Sequence, residues 1–167
     1  MAVKLGNQTF TMTKPVFIHD RACIVGNFEK EGPLGSYFDQ NEDQYFGQDT
    51  WEKAEARFQE ATYHKVLAES TLEENQIDCV LGGDLLNQCS ASSMGLASVS
   101  RPFFGLFGAC STMAESLTLG AFLVDGGGVN HCVCITSSHF CSAEKQFRFP
   151  LELGTQKPPT SQWTVTG

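Results

Sequence analysis

The chain has 167 residues, 41% of them hydrophobic, enough for one globular domain with a substantial core. Its formal charge of -8, with 11 lysines and arginines that never cluster, argues against nucleic acid or anionic lipid as an electrostatic partner. The opening MAVKLGNQTFTMTK lacks the apolar stretch of a secretory leader, and no run of about 18 apolar residues occurs anywhere, so neither a leader nor a membrane span is expected.

Residues 16–25 (VFIHDRACIV) predict an early strand or strand pair, closed by Gly26-Asn27. Residues 29–50 are rich in Gly, Asp, Gln and aromatics, with Asp39, Glu42, Asp43 and Asp49, and predict a long, partly ordered acidic excursion. Asp49-Thr50 is a capping signal for a helix over 51–70, with Ala54, Phe58, Ala61, Leu67 and Ala68 near one face. A short buried strand is expected at 77–82 (IDCVLG), then a polar loop entering a short helix over 84–93. Residues 102–109 predict a second strand, with Gly105 and Gly108 marking close backbone approach. A helix follows over 111–124, stopped by Asp125 and Gly126–Gly128, and a third apolar strand over 129–137. From Phe149 the chain is polar and proline-rich, and its last residues, SQWTVTG, look like a strand beginning. Strands alternating with helices predict an α/β fold with a largely parallel sheet, 77–82, 103–109 and 131–136 being neighbours under the helix 111–124.

The stretch LFGACSTMAESLTLGAFLVDGGG, residues 106–128, holds the main chemical signal. A cysteine at a strand-to-helix junction has its sulfur beside the unpaired N–H groups of the first helical turn. Those dipoles lower a thiol pKa or bind a carboxylate. The alternative for Cys110 is a small buried filler, a common fate of a free cysteine. Seven cysteines without regular spacing read as free thiols of a reducing compartment, so a cytoplasmic location is expected. Between residues 111 and 124 the only charge is Glu115, so that helix is apolar on all sides, and Ala114, Gly120 and Ala121 allow close packing.

Among the histidines, His19 and His64 are expected to be structural and His131 to begin a strand, whereas His139, in the loop after the third strand, stands open between structural and site roles. A zinc set from Cys132, Cys134, His139 and Cys141 is weighed and set aside. Two cysteines two apart on a strand share a face at a Cα separation of ~6.5 Å, whereas structural zinc pairs use C-x₂₋₄-C on a turn. No metal site is expected.

LFGACSTMAESL resembles the nucleophile elbow of the thiolase and β-ketoacyl synthase III superfamily. ENQIDCVLGGDLLNQ at 74–88 is similar to that family's strand and loop before the elbow, and HCVCITSSHFCSAEKQFRFPLELG at 131–154 to its next strand and pocket loop. With GPLGSYFDQNEDQYFGQDTWEKAE and SSHFCSAEKQFRFPLE included, the likeness extends over the whole chain and is greatest to the stage V sporulation branch found in spore-forming Bacilli. The resemblance implies a thiolase-like α/β fold of α-β-α-β-α layers, in which two similar halves pack around two central helices, 111–124 being one. It implies that residues 1–167 are the N-terminal half-domain, with 29–50 an acidic loop insertion and the C-terminal half absent. One flank of the 111–124 helix then lacks cover, so a homodimer or complex is expected.

In condensing enzymes the elbow cysteine works with His and Asn, or a second Cys, from the second half, and Cys110 is catalytic only on that reading. Family synthases place coenzyme A contacts near the 29–50 excursion, where this chain has Lys30 as its only cation, which counts against an acyl-CoA substrate. The sporulation branch implies instead a protein that binds pyridine-2,6-dicarboxylate (dipicolinic acid), or its calcium chelate, for import into the developing spore. It would act with membrane proteins of the same stage V operon, as a cytoplasmic protein held peripherally at the spore inner membrane. No cofactor is implied beyond calcium carried with the ligand. A planar dicarboxylate suits a narrow pocket with N–H groups at Cys110, Ser111 and Thr112. Asn87, Gln88, Ser90, Ser138 and His139 would complete its contacts, while Asp84 would repel the free dianion yet meet a calcium. The alternatives are an acyltransferase or condensing enzyme using Cys110, and a structural scaffold in a spore membrane complex.

Overall fold

The computed structural model describes residues 1–86, 89–139 and 141–142. At the start, β1 (Val3–Leu5) pairs antiparallel with β2 (Thr9–Thr11). Gly6, at φ +64°, supplies the left-handed residue of the turn between them.

The strand expected over 16–25 is present only as β3 (Ile24–Gly26). Among the described residues no strand runs beside 16–23, and Phe17 and Ile18 stand 82% and 75% exposed. The 29–50 excursion is more ordered than its composition suggests. It holds α1 (Asn27–Glu31), a 3₁₀ turn at Gly35–Tyr37, and β4 (Gln40–Glu42), which runs parallel to β3. Asp39 pins it, accepting from the Cys23 N–H at 2.7 Å and from the Arg21 guanidinium at 3.0 and 3.2 Å.

Helix α2 (Trp51–Glu69) begins as expected, with the Thr50 hydroxyl oxygen accepting from the Lys53 N–H at 3.3 Å. Its inward face differs from the expected one. Ala54 is buried, but Ala68 is exposed, and the strip that faces inward is Ala54, Glu55, Ala56, Gln59 and Tyr63. Polar Glu55 and Gln59 are accepted inside because the ends of the sheet offer them hydrogen-bond partners, which hydropathy alone does not register.

The remaining elements build one sheet. β5 (Cys79–Gly83), buried along its length, leads through α3 (Ser90–Gly95) to β6 (Phe103–Gly105), a 3₁₀ turn at Ala109–Ser111, α4 (Thr112–Gly126) and β7 (Cys132–Thr136). The order is β6-β5-β7, all parallel, Val80 lying between Phe103 and Val133. These are the expected neighbours. β6 ends at Gly105, four residues early; the Leu106 N–H still donates to the Gly82 carbonyl at 2.8 Å before the chain turns away.

Tyr63, Val80, Leu96 and Ile135 form the core between α2, α3 and the sheet. Gly95 lets α2 and α3 touch, since a Cβ there would run into the Ala56 carbonyl. On the other face α4 packs across β5 and β7 with a stripe of small residues, Thr112, Ser116 and Gly120. A Cβ at Gly120 would stand 3.0 and 3.2 Å from the Cys132 and Cys134 sulfurs. Asp125 near the end of α4 accepts from the Thr13 hydroxyl at 2.9 Å and the Lys14 N–H at 2.8 Å, which ties the N-terminal hairpin to the helix. Beyond the small-residue stripe the first half of α4 is uncovered, Met113, Leu117 and Leu119 being 41%, 41% and 37% exposed, while Phe122 further along meets Phe10 of the hairpin edge to face at 5.4 Å. Among the described residues no helix is long and apolar enough to cross a membrane. The strand expected at the end of the chain lies outside the described residues.

Candidate functional site

Because β5, β6 and β7 are parallel, their C-terminal ends open on one edge of the sheet, and the segments that leave them carry the described residues expected at the ligand: Asp84, Ser90, Cys110, Ser111, Thr112, Ser138 and His139. Such an edge is where open α/β sheets bind ligands.

The loop after β6 makes the elbow. Ala109 sits at φ +50°, a left-handed value that costs a non-glycine residue energy. The next residue, Cys110, has an exposed thiol. The turn uses much of its own polarity. The Ser111 N–H and hydroxyl both donate to the Gly108 carbonyl, at 3.0 and 2.7 Å. The Thr112 N–H and hydroxyl go to the Ala109 carbonyl, while the Thr112 oxygen accepts from the Gly108 N–H at 3.1 Å. Of the three N–H groups expected to meet a carboxylate, two are therefore spent within the turn. Ser111 is exposed and Thr112 buried, and the Glu115 carboxylate lies over Gly108.

After β5, Asp84 is turned inward and is 2% exposed. It accepts from the N–H groups of Leu86 at 2.8 Å, Ala91 at 3.4 Å and Ser92 at 2.8 Å, and from the Ser92 hydroxyl at 2.5 Å. Its carboxylate builds the start of α3. Cys89, at φ +73°, donates its thiol to the Leu106 carbonyl at 3.0 Å and stitches this loop to the one after β6. Burial pushes the Cys89 thiol up from its ordinary pKa. Ser90, half-buried, donates to the Leu86 carbonyl at 3.0 Å. Asn87 and Gln88 lie outside the described residues.

After β7, Ser138 is exposed and His139 buried. His139 Nδ1 accepts from the Cys141 N–H at 3.1 Å, which leaves the proton on Nε2, paired with the Gln44 carbonyl at 2.7 Å. Both ring nitrogens are thus committed, and the ring lies 5.6 and 6.2 Å from those of Trp51 and Phe58. His19 and His64 are exposed and stand apart from this edge, His19 paired with Asp20 at 2.7 Å. Among the described residues no three His, Cys, Asp or Glu side chains are placed to hold a metal.

Sequence reasoning missed Glu55 and Gln59, each 1% exposed. The Gln59 amide nitrogen donates to the Ser92 and Ser137 hydroxyl oxygens at 2.8 and 2.9 Å and reaches the Gly83 carbonyl at 3.4 Å. The Ser137 and Ser142 hydroxyls in turn donate to Glu55 at 2.9 and 2.7 Å. One buried network therefore joins α2, α3 and the loops after β5 and β7. The available signal was the pair of alanines flanking Glu55, small residues that let a helix face approach its neighbours closely.

A cavity of about 360 Å³ opens between β3, α2 and the loop after β7. Ser138 and His139 line it, with Glu55, Phe58, Gln59 and Thr62, whereas Asp84, Ser90 and residues 110–112 do not. The structure thus divides the expected site into an elbow at Cys110 and a separate cavity at His139.

The family described as "Stage V sporulation protein AD (SpoVAD)" matches residues 6–167, which include the elbow and the cavity wall. The chain belongs to that family. The "Stage V sporulation protein AD" of Bacillus subtilis (strain 168) is 41% identical over 163 residues, covering 97% of this chain and 48% of that protein. The chain thus spans about half the length of the curated relative it matches. SpoVAD proteins are thiolase-like, and the parallel sheet with helices on both faces is a partial thiolase-like fold.

Proposed function

We propose that the chain serves stage V of sporulation as part of a ligand-binding protein, and that its ligand is dipicolinic acid, free or as its calcium chelate, taken up into the developing spore. The observation that carries this reading is the elbow: an outward-facing Cys110 at the ligand edge of the sheet, at the head of a 15-residue helix, in a chain of the SpoVAD family. One carboxylate of the ligand lies against residues 110–112, where the positive end of the α4 dipole supports it. Because Asp84 is spent on α3, calcium enters coordinated by the ligand rather than by this side chain. Binding rather than catalysis is also supported by His139, whose nitrogens are both hydrogen-bonded. On this reading the protein is cytoplasmic and works peripherally at the spore inner membrane, with the membrane proteins of its operon.

Calorimetry of dipicolinate against the full-length protein, with and without calcium, tests this. Cys110→Ala keeps the backbone and should weaken binding by about 1 kcal/mol, the size of one neutral hydrogen bond. Ser111→Trp, shown to be folded by circular dichroism, should abolish binding. Wild-type affinity in that folded variant would place the ligand elsewhere.

A second reading, acyl transfer through Cys110, is favoured by one observation: backbone strain at Ala109, directly before an exposed thiol. Incubation with acyl-CoA should leave the intact mass unchanged. A thioester adduct on Cys110, with coenzyme A released as thiol, would decide for the enzyme.

A further inference from the structure

The stretch from α1 to β4 turns apolar side chains outward from an ordered backbone. β4 runs beside β3, and α1 packs on β3, on the 3₁₀ turn at Gly35–Tyr37 and on β4, so residues 24–42 form one folded unit. Its turns are closed by the Gly35 N–H on the Gly32 carbonyl at 3.0 Å and the Tyr37 N–H on the Leu34 carbonyl at 2.9 Å. From this unit Phe28, Leu34 and Tyr37 stand 49%, 58% and 72% exposed. Apolar groups held in solvent and rimmed by polar ones mark an interaction surface, and aromatic rings are favoured anchors in one.

The charges around them define the partner. Between residues 27 and 50 stand six acids, Glu29, Glu31, Asp39, Glu42, Asp43 and Asp49, against Lys30 alone. Cations from outside reach two of these, Arg21 pairing with Asp39 and Lys53 with Asp49. Lys30 turns its ammonium to the Gly35 carbonyl at 3.4 Å. Glu42 and Asp43 meet neutral groups: Glu42 accepts from the Gln40 amide at 2.7 Å, and Asp43 from the Tyr45 and Phe46 N–H groups, each at 2.8 Å. A surface of this sign is repelled by anionic lipid headgroups and attracted by clustered cations. At a membrane, lysine and arginine are concentrated in the cytoplasmic loops of integral proteins.

We propose that the α1–β4 face docks a Lys- and Arg-rich amphipathic segment of a partner protein, of the kind membrane proteins display in their cytoplasmic loops. The segment's apolar side chains meet Phe28, Leu34 and Tyr37, and its cations meet the acids beside them. This rests on the reading that the protein works with membrane proteins, and not on which ligand the elbow binds. The uncovered side of α4 is a different surface, since Glu115 is the one charge between residues 111 and 124.

Fluorescence anisotropy on the full-length protein tests it with two dye-labelled synthetic peptides, one of lysine and leucine at helical spacing, the other with glutamate for every lysine. The lysine peptide should bind, less tightly as salt rises, and the glutamate peptide should not. Tyr37→Ser and Glu31→Lys, both at exposed positions, should each weaken the lysine peptide about fivefold or more, as loss of an interface anchor does, with the circular dichroism unchanged. Leu117→Ser, on α4, should leave its affinity as it is. Vesicles of anionic phospholipid alone should not retain the protein, whereas vesicles of neutral phospholipid carrying the operon's membrane proteins should. The proposal is overturned by equal binding of both peptides, by no binding of the lysine peptide, by affinity that survives both face substitutions or falls with Leu117→Ser, or by retention on anionic lipid alone. No retention by the membrane proteins, with the lysine peptide still bound at this face, would refute the membrane partnership and not the surface.

Discussion

Cys110 and Cys79 present the same thiol to opposite surroundings. Cys110 projects from the elbow into solvent, while Cys79 is 1% exposed in β5, its pKa pushed up to about 11 by burial and by the neighbouring Cys132 thiol. Since the thiolate is the reactive form, iodoacetamide applied to the native protein near neutral pH should modify Cys110 first and leave Cys79 and Cys89 untouched until unfolding. Peptide mass spectrometry along the labelling time course reads this out, and equal rates at Cys110 and Cys79 would contradict the structure. Asp84 shows how a residue can be singled out correctly and its role misjudged. The sequence marks a carboxylate after a Gly-Gly strand end, but not that the chain folds back to place three N–H groups and a hydroxyl around it. Asp84→Ala removes the acceptor of all four donors and should lower stability in urea by about 2 kcal/mol or more. A loss within experimental error would show that α3 does not depend on it. Glu55 and Gln59 were illegible for a related reason: their partners come from β5, α3 and the loop after β7, far away in sequence, and no local pattern announces them.

At the scale of elements, legibility followed how local the determinants are. Helix α2 has its cap in Asp49-Thr50 and α4 has its stop in the 126–128 glycines, so both were found nearly to the residue. Strands need neighbours, and apolar composition at 16–23 or 106–109 carries no information about whether a partner strand lies alongside. The β5–β7 pair has a fastening of its own. The Asp78 carboxylate accepts from the N–H groups of Asn130 at 2.6 Å and His131 at 3.2 Å, just before the two strands begin. These bonds hold its pKa below the ordinary aspartate value of 3.8, so the folded state favours the ionised form. The stabilisation is complete above that ordinary value and is lost as pH falls from it through the lower folded value. Unfolding midpoints measured from neutral pH downward should drop in that window, and Asp78→Asn should flatten the drop. An unchanged profile in the variant would assign the acid sensitivity to other carboxylates. The α2–α3 contact is equally specific. Gly95→Ala drives a methyl group into the Ala56 carbonyl and should cost about 1–3 kcal/mol, the range for overpacking a tight contact.

The whole molecule is governed by what α4 leaves uncovered. Its buried side is a stripe of small residues on β5 and β7, while Met113, Leu117 and Leu119 remain between 37% and 41% exposed, and Phe104 and Phe107 at the end of β6 are each 51% exposed. A helix with so little charge gains nothing from water on that side, and soluble monomers seldom expose apolar patches beyond a few hundred Å². The relative from Bacillus subtilis has about as much sequence again as this chain matches. We therefore propose that the 167-residue chain on its own covers α4 by pairing, as a homodimer or with another protein. Light scattering on the purified chain should give a mass above that of one copy. Leu117→Glu places a charge on the uncovered side without touching the stripe that holds the sheet, so it should shift the chain toward monomer while circular dichroism stays the same. A monodisperse monomer of the unsubstituted chain, with nothing bound, would mean that α4 tolerates exposure and that the pairing argument fails.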